Sequence, residues 1–354
     1  MPKTSLFLTI LVCLHLTTPA QTPIAARPPA PAQPASTSPQ STPSQSTSPQ
    51  STPPQSTPAL FAAIRSGSAT ALQEQLSAGA NPNDSLDGFS ALMAATLTGT
   101  LAQMQLLLDH GAAVNYENAQ QLTALWLAVP DRPKTALLLD RGADPNHRIE
   151  GYTVLVKCAS FAGTADVLQL LINKGADPHK SAPDNYLLYN AATSGDTAIL
   201  GMVIRLGFKV NDSIAPGDFP INGAQLYRHF PAVKMLVDNG ADVNARSMFF
   251  QTLPPMVGFS PLMNAALNAD SAAVCYLLDH GADPNLKSKM GMTALMILQL
   301  SETDDPNVTI ALLKHGADPA ATTPDGTNAL ALANKSGHDK SAAAIQQYSK
   351  DQTK

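Results

Sequence analysis

The sequence predicts an all-α solenoid of about nine stacked helical hairpins with turn or β-hairpin fingers, preceded by a disordered tether. Three observations carry this expectation. First, a glycine landmark returns at Gly79, Gly111, Gly142, Gly175, Gly207, Gly240, Gly281 and Gly316, at intervals of 32, 31, 33, 32, 33, 41 and 35 residues. A fixed period of this length marks supersecondary units that hide their apolar faces on one another. Second, apolar triplets with helical spacing precede the landmarks, as in Leu106-Leu107-Leu108, Leu137-Leu138-Leu139 and Tyr276-Leu277-Leu278. Third, about 21 residues before most of the glycines stands a Ser or Thr followed by small and apolar residues. Ser90-Ala91-Leu92-Met93-Ala94-Ala95 and Ser260-Pro261-Leu262-Met263-Asn264-Ala265 are examples; the hydroxyl caps a helix whose small side chains permit close packing.

Taken in chain order, residues 1–20 carry one cation, Lys3, then an apolar run from Leu6 to Leu16 and a small residue, Ala20. This is the layout of a secretory signal peptide, and the run is too short for an ordinary membrane span; a retained anchor is the alternative. Residues 21–58 hold 11 prolines among Ser, Thr, Gln and Ala. With so little apolar side chain to bury, such a segment cannot offset its ordering entropy, and an extended tether is expected. A ligand for proline-binding modules is the sharper reading of the same residues.

Without the leader, 27 acids face 21 bases, a net charge of −6. That balance, with no basic run, gives no counterion-release drive toward nucleic acid and little attraction to an anionic bilayer. Two cysteines remain after the leader's Cys13, Cys158 in the fourth unit and Cys275 in the seventh. At about 10 Å per unit they lie about 30 Å apart, far beyond the reach of a disulfide, about 7 Å between Cα atoms.

The repeated segments resemble the T-P-L-H-x-A and G-A-D-x-N signatures of ankyrin repeats over essentially all of residues 58–350. The resemblance implies an array spanning 59–350, with units at 59–83, 84–115, 116–146, 147–179, 180–211, 212–244, 245–285, 286–320 and 321–350. It also implies protein–protein recognition through a concave face and finger loops, with no cofactor. The first and last units, with polar Gln73-Glu74-Gln75 and Gln346-Gln347, read as caps. The signature histidine is absent throughout: its slot holds Phe61, Met93, Trp126, Val156, Tyr189, Asn222, Met263, Met296 and Ala331. Apolar contact is expected in place of its hydrogen bonds.

No side chains gather in a catalytic or metal-binding pattern, and no enzyme is expected. His110, His280 and His315 each precede a landmark glycine, where a helix end favours a cation; His147, His179, His229 and His338 have no second ligand at a metal spacing. Asp144, Asp177, Asp242, Asp283 and Asp318 recur at the third landmark position, a turn-forming role. No G-x-S-x-G, phosphate loop or dinucleotide fingerprint is present. Asn83, Asn211 and Asn307 stand in glycosylation sequons.

Two irregularities carry more. The 41-residue interval adds about eight residues over 246–258, including Met248, Phe249, Phe250, Leu253 and Met256. Such side chains on a finger either meet a partner or fold back onto the array. Residues 301–307 lengthen the turn within the eighth unit, where a solvated insertion is expected and Asp305-Pro306 would start a helix. Tyr116, Arg148, Lys180 and Lys287 complete the candidate partner contacts. The expected protein is a monomer, exported to the periplasm or beyond, without stable membrane insertion. It would bind a partner protein of the cell envelope or outside the cell, with a secreted effector acting on a host or competitor protein as the alternative.

Overall fold

The computed structural model describes residues 56–180, 185–214, 217–247 and 257–352, which belong to one compact unit, Gln55–Lys354. The expected leader, nearly all of the tether and the loop residues Met248, Phe249, Phe250, Leu253 and Met256 lie outside the described residues.

Eighteen helices among the described residues form nine antiparallel pairs. They are α1 (Ser56–Arg65) with α2 (Ala69–Ser77), α3 (Ala91–Thr98) with α4 (Leu101–Asp109), and α5 (Ala124–Ala128) with α6 (Arg132–Asp140). Next come α7 (Val154–Ala159) with α8 (Ala165–Asn173), α9 (Tyr186–Ser194) with α10 (Thr197–Arg205), and α11 (Pro220–Leu226) with α12 (Phe230–Asp238). The last three are α13 (Pro261–Leu267) with α14 (Ser271–Asp279), α15 (Ala294–Leu298) with α16 (Pro306–Lys314), and α17 (Ala329–Ser336) with α18 (Asp339–Gln352). The first helix of each pair stacks on the first helix of the next, and second helices stack likewise. A row of inner helices and a row of outer helices enclose one continuous apolar core.

The landmark works as a helix stop. Gly111 adopts φ +88°, its N–H donates to Leu108 O and the Ala112 N–H to Leu107 O at 3.1 and 2.9 Å. This is the Schellman pattern, in which a left-handed residue lets two orphan carbonyls be satisfied. The same pair of bonds closes the helices before Gly142, Gly175, Gly240, Gly281 and Gly316. Leu107, Leu138, Leu171, Val203, Leu236, Leu277 and Leu312, four residues before successive landmarks, are fully buried. Each removes about 1.5–3 kcal/mol of apolar side chain from water. The first helices start as expected: Ser90, Thr123, Ser260 and Thr293 accept from the backbone N–H three residues on.

Fingers join the pairs. Two are true hairpins: β1 (Ser85–Leu86) with β2 (Phe89–Ser90), and β3 (Arg148–Ile149) with β4 (Tyr152–Thr153), in registers Ser85↔Ser90 and Arg148↔Thr153. Their two-residue loops, Asp87-Gly88 and Glu150-Gly151, both sit at positive φ, the backbone that matches strand twist.

Neighbouring units are locked by three sets of polar contacts. Asn83 donates to Gly111 O and accepts from Ala113 N, at 3.1 and 2.7 Å; Asn115, Asn146, Asn211, Asn244 and Asn285 repeat both bonds one unit on. The ladder breaks once, where His179 takes the asparagine position and its ring stacks on Phe208 at 4.7 Å. Asn83 and Asn211, read as sequons, thus spend their amides inside the ladder. On the outer helices, Arg141–Asp109 and Lys174–Asp140 ion pairs at 2.7 Å and the Tyr276–Asp238 bond at 2.9 Å link successive turns. Being exposed, each ion pair contributes at most about 1 kcal/mol. The third set lies deeper: the buried Gln103 amide, on α4, reaches back to Ala63 O, Ile64 O and Ser68 O at 3.0–3.3 Å, and the half-buried Lys134 on α6 holds Thr96 O and Gly99 O.

Two expectations need correcting. The array starts at Ser56, inside the stretch read as tether, because Thr57 is buried and donates to Asp84 at 2.6 Å, while Pro58 falls in the first helical turn, where its missing N–H has no partner to lose. The insertion within the eighth unit is not simply solvated. Asp304 accepts from Lys340 N, Ser341 N and Ser341 Oγ, at 2.9, 3.1 and 2.6 Å, and so caps the last helix from the neighbouring unit. Asp305 and Pro306 do start α16 as expected.

Candidate functional site

The slot residues along the inner row behave mostly as core. Phe61, Met93, Val156, Met263 and Met296 are buried, Trp126 is half-buried with Lys157 Nζ 5.2 Å from its ring centroid, and Ala331 is exposed. Tyr189 and Asn222 depart from this pattern. Here three successive inner helices, α9, α11 and α13, border a small pocket of about 10 Å³ lined by Tyr189, Asp218, Asn222, Gly223, Leu226, Ser247 and Asn264.

Its construction follows from local sequence. Gly223 leaves α11 without a side chain where a Cβ would stand 2.7 Å from Thr193 Cγ2 and 3.1 Å from the Tyr189 ring, so the two helices close on that ring. Asn222 anchors itself by donating to Ala245 O at 3.2 Å, and its Oδ1 has no hydrogen-bond partner among the described residues. Asp218 precedes α11 and is only 9% exposed, yet its Oδ1 likewise finds no partner there. Burial pushes its carboxyl up to about 6 from 3.8. The phenol of Tyr189 is pushed well above its ordinary value by burial first, then by the charges of Asp218, Tyr227 and Tyr186. An unpaired buried carboxylate is expensive for a protein to keep, and two orphan acceptors in one place need an explanation.

The pocket borders the long finger. Ser247 N donates to Phe259 O at 2.8 Å, Gly258 N to Ser247 O at 2.7 Å, and Lys289 N to Val257 O at 3.0 Å. The finger is therefore closed at its base and pinned to the next unit, with Val257 and Phe259 buried.

The other candidate contacts are spread along the array. Arg148 on β3 and Lys180, at the end of a single 3-10 turn (Pro178–Lys180), are exposed. Lys287 is exposed but donates to Thr322 O at 3.2 Å, tying one finger to the next. Tyr116 packs partly against the core, which makes it as much a structural residue as a contact. They stand on different fingers. Sequence reasoning passed over Asp218, Ser247 and Asn264 as site residues; the available signal was the amide of Asn222 in a mostly apolar slot.

The histidines and cysteines are accounted for. His110, His280 and His315 each place Nδ1 2.7–2.8 Å from the carbonyl four residues back, an acceptor, so the ring donates there. Cys158 and Cys275 are free thiols, one buried and one exposed. Burial pushes the Cys158 thiol up to about 11 despite its bond to Thr164. Among the described residues no three His, Cys, Asp or Glu side chains are placed to hold a metal ion, and no helix is long and apolar enough to cross a membrane.

Repeated helical pairs, Schellman stops and finger turns define a solenoid scaffold of the kind that mediates protein–protein interaction. The family sequence pattern described as ankyrin repeats (3 copies) matches residues 60–149 and 262–354, just over half of the chain, and the chain belongs to the ankyrin-repeat family. Similar proteins include transient receptor potential cation channel subfamily A member 1 of Homo sapiens, 26% identical over 173 residues, and alpha-latrocrustotoxin-Lt1a of Latrodectus tredecimguttatus, 31% identical over 111 residues. These segments cover 44% and 31% of this chain but 15% and 8% of the relatives, so the chain spans a small part of either. Among solved structures, the human ASB11 ankyrin repeat domain superposes with a TM-score of 0.55 at 23% identity, covering 66% of this chain and all of that domain, a likeness of fold.

Proposed function

We propose that the chain is an exported scaffold that captures a partner protein on its inner-helix face and fingers. The observation that carries this reading is the polar pocket on the inner row beside the long finger, where the buried Asp218 and Asn222 each leave an acceptor without a partner among the described residues. The family supports protein recognition as the mode of action. The leader-like residues 1–20 and the Pro-rich stretch support export and a periplasmic or extracellular tether, and Met248, Phe249, Phe250, Leu253 and Met256 on the finger, with Arg148, Lys180 and Lys287, supply contact side chains.

The test is capture from cell-envelope extract with the full chain as bait. Stoichiometric recovery of one protein, reduced by Phe249→Asp, is expected; unchanged recovery removes the finger from the site. Release by osmotic shock supports the periplasm, whereas accumulation in the culture medium favours a secreted effector.

A further inference from the structure

We propose that the pocket between α9, α11 and α13 binds a cationic N–H donor, the guanidinium or ammonium head of an arginine or lysine side chain of the partner protein. The inference deepens the scaffold reading and rests on it for the source of the cation.

The pocket contributes acceptors and negative charge. Asp218 Oδ1 and Asn222 Oδ1 are both buried, line the same space, and have no hydrogen-bond partner among the described residues. Asn222 already uses its donor end on Ala245 O, which fixes the amide with its oxygen left over. None of the ion pairs among the described residues involves Asp218, and nothing but burial perturbs its carboxyl. A neutral donor would satisfy the hydrogen bonds and leave the charge uncompensated; a cation with several N–H groups answers both. Tyr189 adds an aromatic wall, and an aromatic face attracts a cation. The enclosed room is small, about 10 Å³, space for about one water-sized group, so only the tip of the cationic head enters and its stem stays outside. Ser247 places the pocket next to the base of the long finger.

The experiment follows the Asp218 carboxyl carbon of the full chain by NMR at pH 7.5 while n-butylguanidinium, n-butylammonium, neutral n-butylurea or the peptide acetyl-Gly-Arg-Gly-amide is added. Saturable shifts with the cations and the peptide but not with butylurea are expected. Calorimetry should show binding weakened about 30-fold or more by Asp218→Asn, with Asn222→Leu weakening it as an independent variant. Circular dichroism of both variants establishes that the fold survives. Butylurea binding as tightly as butylguanidinium, binding that ignores Asp218→Asn, or no saturable shift with any probe would each overturn the proposal. Binding of the small cations with exclusion of the peptide overturns the side-chain source and assigns the pocket to a free amine. Envelope capture is scored separately: probe binding without any captured protein sinks the scaffold reading and leaves the pocket chemistry standing, whereas capture without probe binding does the reverse.

Discussion

Replacing Asp218 with asparagine should stabilise the free protein, and by an amount that depends on pH. Asp218 is nearly buried, its Oδ1 has no hydrogen-bond partner among the described residues, and burial pushes its carboxyl up to about 6 from 3.8. The gap of about two units corresponds to about 3 kcal/mol at 1.36 kcal/mol per unit. Because the folded carboxyl holds its proton more tightly than the unfolded one, the folded chain carries the extra proton between pH 3.8 and about 6. Stability therefore falls as pH rises through that window, and the whole penalty is present above it. Asparagine keeps the shape and carries no charge, so the variant escapes the penalty. At roughly 2 °C per kcal/mol for a chain of this size, its melting temperature should exceed that of the wild type by roughly 6 °C at pH 7.5. The advantage should shrink to a small fraction by about pH 3.8 and vanish below it. Paired thermal scans at pH 3.8, 5, 6 and 7.5, without added cations, read this directly. Equal melting temperatures at pH 7.5, or a difference that does not change with pH, would refute the assignment of an unpaired buried charge.

Three further outcomes are expected. Gln103→Ala removes the amide bonds to Ala63 O and Ile64 O at the end of α1 and to Ser68 O at the cap of α2, carbonyls that each keep one other donor, and should cost about 1 kcal/mol, visible as a lower urea midpoint; a neutral result would show that water replaces the amide. Asp304→Ala removes the cap of α18, at a cost of about 1 kcal/mol, and hydrogen exchange should quicken in α18 before any other helix. Partial burial raises the Asp304 carboxyl, but bonds from Ser341 and Lys340 and the nearby His338 outweigh it and hold the group below 3.8. Its contribution is thus complete above that pH and lost as pH falls through the lower folded value. Maleimide should label Cys275 in the native protein and Cys158 only after unfolding, since the buried thiol is both inaccessible and pushed up to about 11; mass spectrometry distinguishes the two, and native labelling of Cys158 would contradict its packing.

The interval near 33 residues, the glycine stops, the Ser and Thr caps and the apolar triplets are each satisfied within one hairpin or against its immediate neighbour. They are therefore legible in the sequence: Gly111 needs only Leu107 and Leu108 to end its helix, and the same arithmetic repeated along the chain dictates the stack. What only the tertiary structure decided are contacts whose partners lie a full unit away. Asn83 meets Gly111 and Ala113, Gln103 meets Ala63, and Asp304 meets Ser341, pairings that no local pattern announces because their register depends on how units stack. The pocket belongs to the same class. Tyr189, Asp218, Asn222 and Asn264 come from three successive units, and each is unremarkable in its own hairpin. Only when α9, α11 and α13 close on the space left by Gly223 do an orphan carboxylate and an orphan amide oxygen come to share one enclosed volume, because burial and the loss of water are properties of the assembled array and not of any one repeat.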